Sequence, residues 1–236
     1  MANKEFSPMG ILRYEIKDSL KQLENYRDTQ EEITKSIIIE SKYYIHHEGE
    51  VHEDYGLDQE SKWFPVTFRN SLFITNYAFF ESLLIRICKI LQQELGLKLS
   101  LKDIHGGTTI EKVQKYIKLV ANLNFPDDTS VNWQFLKKCN ILRNSIAHNY
   151  SEVDDKVSKL LPMPNITQNI SEVVNELLGE THFVSNSGLH FTNSRFYLLL
   201  DFCKEVLVII SAFFREFFDA NPDLFTGSAD ARYKLS

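Results

Sequence analysis

The chain has 236 residues, 43% of them hydrophobic and 25% charged, with a net charge of −6 at pH 7. That length fits one large domain or one domain with insertions, and the scarcity of Pro (6) and Gly (9) points to an all-α protein. The acidic balance excludes a protein that coats nucleic acid with a broad basic face, so any nucleic-acid contact has to come from a local cleft.

In chain order, the first helix is expected from about Ile11 to His47, with a loose apolar stripe at Ile16, Leu20, Leu23, Ile33, Ile37 and Tyr44. "HHEGEVHEDYGLDQ" breaks it with Gly49 and Gly56. His46, His47 and His52 in that stretch fit no ligand spacing for a metal, and a polar loop is expected. A second helix is predicted from near Trp63, with Pro65 in its first turn, where a missing N–H costs nothing. Its stripe is Phe73, Tyr77, Phe80, Leu84, Ile87, Leu91 and Leu95, and Gly96 ends it.

"TTIEKVQKYIKLVANL" reads as a third helix, with Thr108 and Glu111 at capping-box spacing and Ile110, Val113, Ile117 and Val120 inward. "HGGTT" ahead of it lacks the lysine of a phosphate loop and reads as a turn plus cap. Asp128 or Ser130 caps a fourth helix, whose apolar side is Phe135, Leu136, Cys139, Leu142 and Ile146. After the loop "LPMPN", a short helix is predicted over 166–178. A hairpin comes next in "HFVSNSGLHF", with its turn at Asn186–Gly188. The last long helix is predicted to start after a cap at Thr192 or Asn193, and the tail "TGSADARYKLS" to be mobile. Asp201, Lys204 and Glu205 interrupt "FYLLLDFCKEVLVIISAFFREFF", so it reads as a buried helix and not a membrane span. Cys88, Cys139 and Cys203 all fall in apolar helical patterns and read as reduced core thiols. The first residues show no signal-peptide pattern. A cytoplasmic protein with no membrane partner is the resulting expectation.

The chemistry concentrates in "CNILRNSIAHNYSEVDD", residues 139–155. A guanidinium clasps a phosphate with paired hydrogen bonds, and an imidazole moves a proton near neutral pH. Arg143 and His148 together would suffice for RNA transesterification, in which the substrate supplies its own 2′-OH and no metal or cofactor is called for. Five residues apart on a helix they are rotated by roughly 140°, whereas Asn144 and His148, four apart, share a face. Convergence is permitted by that geometry but not demanded. The plain alternative is a helix C-terminus whose two cations suit its dipole.

"RNSIAH" resembles the signature of the HEPN superfamily: Arg, four to six residues, His, with a polar residue directly after the Arg. "FRNSLFITNYAFFESLLIRICKIL" resembles that superfamily's early core helix, and "GLHFTNSRFYLLLDFCKEVLVIISAFF" its closing helix after a hairpin. The resemblance covers about residues 63–218. It implies an all-α HEPN-like helical bundle and leaves the first 60 residues unexplained; the residue pattern adds a long N-terminal helix and a small β-hairpin insertion before the last helix. The corresponding division is a helical extension over 1–60 packing on the core, the bundle over 61–220 and a tail over 221–236. It also implies a metal-independent endoribonuclease, acting as a homodimer with a composite active site, that leaves a 2′,3′-cyclic phosphate and a 5′-OH. Such proteins often serve as toxins or antiviral effectors.

By that resemblance Arg143 stabilises the phosphate, His148 is the acid or base, and Asn144 orients one of them or the substrate. Glu81 is a candidate carboxylate for orienting Arg143 or His148, against the plainer role of a boundary residue with its head in water. Tyr77 is a core residue before it is an RNA contact. Lys137 and Lys138 are candidate RNA-backbone contacts, or simply solvated lysines. A toxin subset carries Arg-x4-His-x-Tyr, and "RNSIAHNY" supplies Tyr150 there. In that subset a nucleotidyltransferase antitoxin adds AMP to the tyrosine. Two other readings stand beside the nuclease. One is a catalytically inactive HEPN module binding a partner protein, a nucleotide or RNA; the other is a toxin whose N-terminal region holds its inhibitor.

Overall fold

The computed structural model describes residues 7–47, 55–149, 151–152, 154–160, 183–184, 189–191, 196–198 and 200–225. Within these the chain is mostly helical: α1 (Pro8–His47), α2 (Tyr55–Glu94), α3 (Thr109–Lys115), α4 (Val131–Asn149), the single turn α5 (Asp155–Ser158) and α6 (Leu200–Asp219). A π turn over Tyr116–Val120 continues α3, and 3-10 turns lie at Leu101–Asp103 and Pro222–Phe225. Three short strands, β1 (Phe183–Val184), β2 (Leu189–Phe191) and β3 (Phe196–Leu198), pair antiparallel in the order β1-β2-β3. Phe183 faces Phe191, and Phe191 faces Phe196. The expected loop at 161–165, the helix at 166–178, the turn Asn186–Gly188, the caps Thr192 and Asn193, and the tail from 226 lie outside the described residues.

Two boundaries differ from the sequence reading. α2 begins at Tyr55 and not at Trp63, so Pro65 sits inside the helix. Gly56 falls in the first turn, where no intrahelical bond has yet been made through its N–H. Pro65 forfeits only the bond its own nitrogen would have made, and its ring is buried. The last helix starts at Leu200, because Phe196–Leu198 is a strand. Phe196 and Leu198 are both buried, which is the period of two that a strand imposes and a helix cannot supply.

Elsewhere the helix ends obey their local chemistry. Gly96 takes a left-handed φ of 59° just past α2. Its N–H donates to the Gln93 carbonyl at 3.4 Å, and that of Leu97 to Gln92 at 3.0 Å, closing the end of the helix in a Schellman arrangement. Glu111 accepts from the Thr108 N–H at 2.7 Å, completing the capping box. Ser130, not Asp128, precedes α4 as its cap: the Trp133 N–H donates to its hydroxyl at 3.4 Å.

The chain divides into two compact units: 1–21, 77–137 and 208–236 form the first, and 22–76 and 138–207 the second. The first has an aromatic interior. Trp133 stacks on Phe213 at 5.7 Å and meets Phe125 edge-on at 5.0 Å, and Phe80 meets Phe213 edge-on at 5.4 Å. Tyr77 is fully buried, with its hydroxyl donating to the Leu136 carbonyl at 3.3 Å. Residues 221–225, expected as tail, are partly packed here: Asn221 and Leu224 are buried, and the Asn221 amide both donates to and accepts from the backbone of Asn124.

Among the described residues the second unit buries more polar side chains than the first. On α1 the apolar run Met9, Leu12, Ile16, Leu20 gives way to buried Arg27, Glu31 and Thr34, while Ile33, expected inside, is exposed. Arg69 of α2 donates to Glu31 at 2.6 Å. Asn76, Asn140, Ser145 and Ser151 are buried in the same unit. All three cysteines are buried and free. Burial pushes the Cys88 and Cys203 thiols up to about 12 and that of Cys139 upward too, the last with added repulsion from Glu205. One described helical stretch, Phe64–Glu94, is long and apolar enough to cross a membrane, with 50% of its most apolar window buried; the last helix is not such a stretch.

Candidate functional site

α4 remains α-helical through Asn149, so no distortion of its final turn swings His148 back toward Arg143. The two are therefore rotated by roughly 140° and separated by roughly 7.5 Å along the axis. A side-chain bond partly closes that gap. Arg143 Nη1 donates to Asn144 Oδ1 at 2.8 Å. Asn144 lies one turn below His148 on the same face, so the bond draws the guanidinium round toward that face. Arg143 and Asn144 are half-buried and His148 is exposed. His148 also occupies the last turn of α4, where the carbonyl ends favour a cation.

The backbone just past His148 is tightly held. Ser151 adopts a left-handed φ of 63°. Its N–H donates to the Ser145 carbonyl at 3.3 Å, and the Ser145 hydroxyl donates to the Glu152 carbonyl at 2.8 Å. Asn70 of α2 donates to the Ser151 hydroxyl at 3.4 Å, and the Phe196 N–H at the start of β3 donates to the Ser151 carbonyl at 3.0 Å. The exit of α4 is thus tied to its own inner face, to α2 and to β3. Neighbouring Arg69 is itself fixed, by its pair with Glu31 and by the Cys203 thiol on its carbonyl at 3.9 Å.

The sequence reading missed Ser145, Ser151, Asn70 and Asn76. Asn76 is fully buried between the stripe positions Phe73 and Phe80, and neither end of its amide has a hydrogen-bond partner; Asn70 Oδ1 is likewise buried without one. Such groups are costly, roughly 1–3 kcal/mol each. A polar residue set among stripe positions was the signal available in the sequence.

Of the other expected residues, Glu81 is half-buried on α2 and belongs to the first unit. Lys137 is engaged by Asp128 at 2.9 Å, so its charge is already answered, while Lys138 is half-buried. Tyr150 and the side chains of His46, His47 and His52 lie outside the described residues. Among the described residues no group of three or more His, Cys, Asp or Glu is placed to hold a metal ion. The chain matches no family model, no curated protein and no solved structure.

Proposed function

We propose that this protein is a HEPN-type endoribonuclease, built as a HEPN-like bundle with a hairpin before the last helix and acting as a homodimer. The observation that carries the reading is the Arg143–Asn144 bond at 2.8 Å, one turn below an exposed His148. On this reading Arg143, Asn144 and His148 serve as phosphate-binding cation, orienting amide and proton carrier near one helix end. In the proposed reaction His148 takes the proton of a ribose 2′-OH as its oxygen attacks the adjacent phosphorus. Arg143 stabilises the charge gathering on the non-bridging oxygens. The bond from phosphorus to the 5′ oxygen breaks, and the His148 of a second copy protonates that oxygen. The products are a 2′,3′-cyclic phosphate and a 5′-OH, with no oxidant or external nucleophile consumed. Lys138 is a secondary candidate, for touching the RNA backbone.

A second reading, a HEPN module that binds without cleaving, is favoured by one observation: within a single chain Arg143 and His148 leave an undistorted helix roughly 140° apart. A mixed RNA pool incubated in EDTA separates the two. The nuclease reading expects cleavage by the wild type and a loss of about 10²–10⁴-fold in both Arg143→Ala and His148→Ala, with unchanged circular dichroism. Wild type and His148→Ala leaving RNA equally intact would sink it. The toxin or antiviral role expects growth arrest on expressing the wild type and none with His148→Ala.

A further inference from the structure

The first unit carries a lysine-rich stretch. Residues 98–118 hold five lysines, Lys98, Lys102, Lys112, Lys115 and Lys118, against two acids, Asp103 and Glu111, a net +3 in a protein of net −6. Both acids are bonded to their own backbone at the surface. Asp103 accepts from the N–H and hydroxyl of Ser100 at 2.7 and 2.8 Å, which holds its carboxyl below the usual range. Glu111 accepts from the N–H and hydroxyl of Thr108 at 2.7 and 3.0 Å. Among the described residues none of the five lysines is in a salt bridge with a carboxylate; Lys118 alone acts at longer range, on Asp127.

Packing leaves most of these cations outside, together with exposed aliphatic groups. Ile110, Val113, Tyr116 and Ile117 are buried, so Lys115, Lys118 and Leu119 are left on the outer face. The Tyr116 hydroxyl donates to the Leu99 carbonyl at 3.0 Å and fixes the 98–102 segment alongside. Lys112 and Leu119, one turn before and after Tyr116, flank that junction. Leu99 is 50% exposed and Leu119, on the π turn, 79%.

We propose that this surface docks peripherally on an anionic lipid bilayer, with Leu99 and Leu119 entering the headgroup layer and the lysines meeting lipid phosphates and carboxylates. Charge complementarity calls for an anionic partner, and the exposed groups decide which kind. Single-stranded RNA is held by lysines interleaved with exposed aromatic rings on which bases stack. Apart from the imidazole of His105, the one ring in this segment, Tyr116, is buried and committed to Leu99. Exposed aliphatic tips ringed by lysine suit an interfacial contact. The contact is independent of the α4 motif.

Co-flotation of the full chain with phosphatidylcholine vesicles, with and without added phosphatidylserine, tests it. Binding is expected only with phosphatidylserine, weakening in high salt. Lys112→Glu with Lys115→Glu is expected to lower binding at least about tenfold, since each lysine near an anionic surface counts. Leu119→Ser is expected to lower it several-fold, and His148→Ala to leave it unchanged. All these positions are exposed or half-exposed, and unchanged thermal melting guards against misfolding. No vesicle binding, or binding indifferent to the lysine and leucine variants, overturns the proposal. So does binding to poly(U) RNA, without vesicle binding, that the lysine variant abolishes.

Discussion

Glu31 stands on α1 at a buried position where an uninterrupted apolar stripe would place an aliphatic residue. Its partner Arg69 is 2.6 Å away, with side-chain exposures of 6% and 19% for the pair. Glu31→Ala leaves the guanidinium enclosed without its carboxylate and is expected to cost about 3 kcal/mol, read as a lowered urea midpoint with an unchanged slope. Glu31→Met combined with Arg69→Met should recover most of it, because the charges themselves are expensive to bury. Glu205 makes the opposite case: burial raises its carboxyl above the ordinary 4.5. A raised folded value means its favourable contribution exists below the unfolded value and is lost as pH rises through the folded one. At pH 7 its charge is therefore a burden. Glu205→Gln is expected to melt higher than wild type at pH 7, with the advantage vanishing below about pH 4; an advantage that persisted in acid would contradict this account. At this scale the sequence showed Arg143, Asn144 and His148 as a group. It did not show which buried polar residues answer one another, since Glu31 and Arg69 are 38 positions apart.

Among the elements, the exit of α4 is held from several sides. Ser145 binds it from within, Asn70 from α2, and Phe196 from β3. Ser145→Ala removes the 2.8 Å bond to the Glu152 carbonyl and is expected to cost about 1 kcal/mol. Its more telling effect is local: amide exchange at Ser151 and Glu152 should quicken while the Leu136–Leu142 part of α4 stays protected. Equal acceleration along the whole helix would mean that Ser145 serves general packing and not this turn. Helix ends were legible wherever a cap residue encodes its own bonding, as at Gly96, Thr108 with Glu111, and Ser130. They were misread where tertiary burial decides. Pro65 is accepted inside α2, and Phe196–Leu198 becomes a strand by pairing with β2 and by giving its first N–H to Ser151, neither of which is a local property.

For the molecule as a whole, helical class could be read from few breakers and long apolar periods. The division into two units could not. Each long helix contributes to both, and the change on α1 from Leu20 to Arg27, Glu31 and Thr34 is the trace this leaves in sequence. The contrast between the interiors has a thermal side. Aromatic burial of the kind formed by Phe80, Trp133 and Phe213 weakens on cooling. An enclosed ion pair such as Glu31–Arg69 becomes less costly on warming, as the hydration its charges gave up loses value. The aromatic packing therefore has its weak season in the cold, while the enclosed pair is less of a burden in the warm.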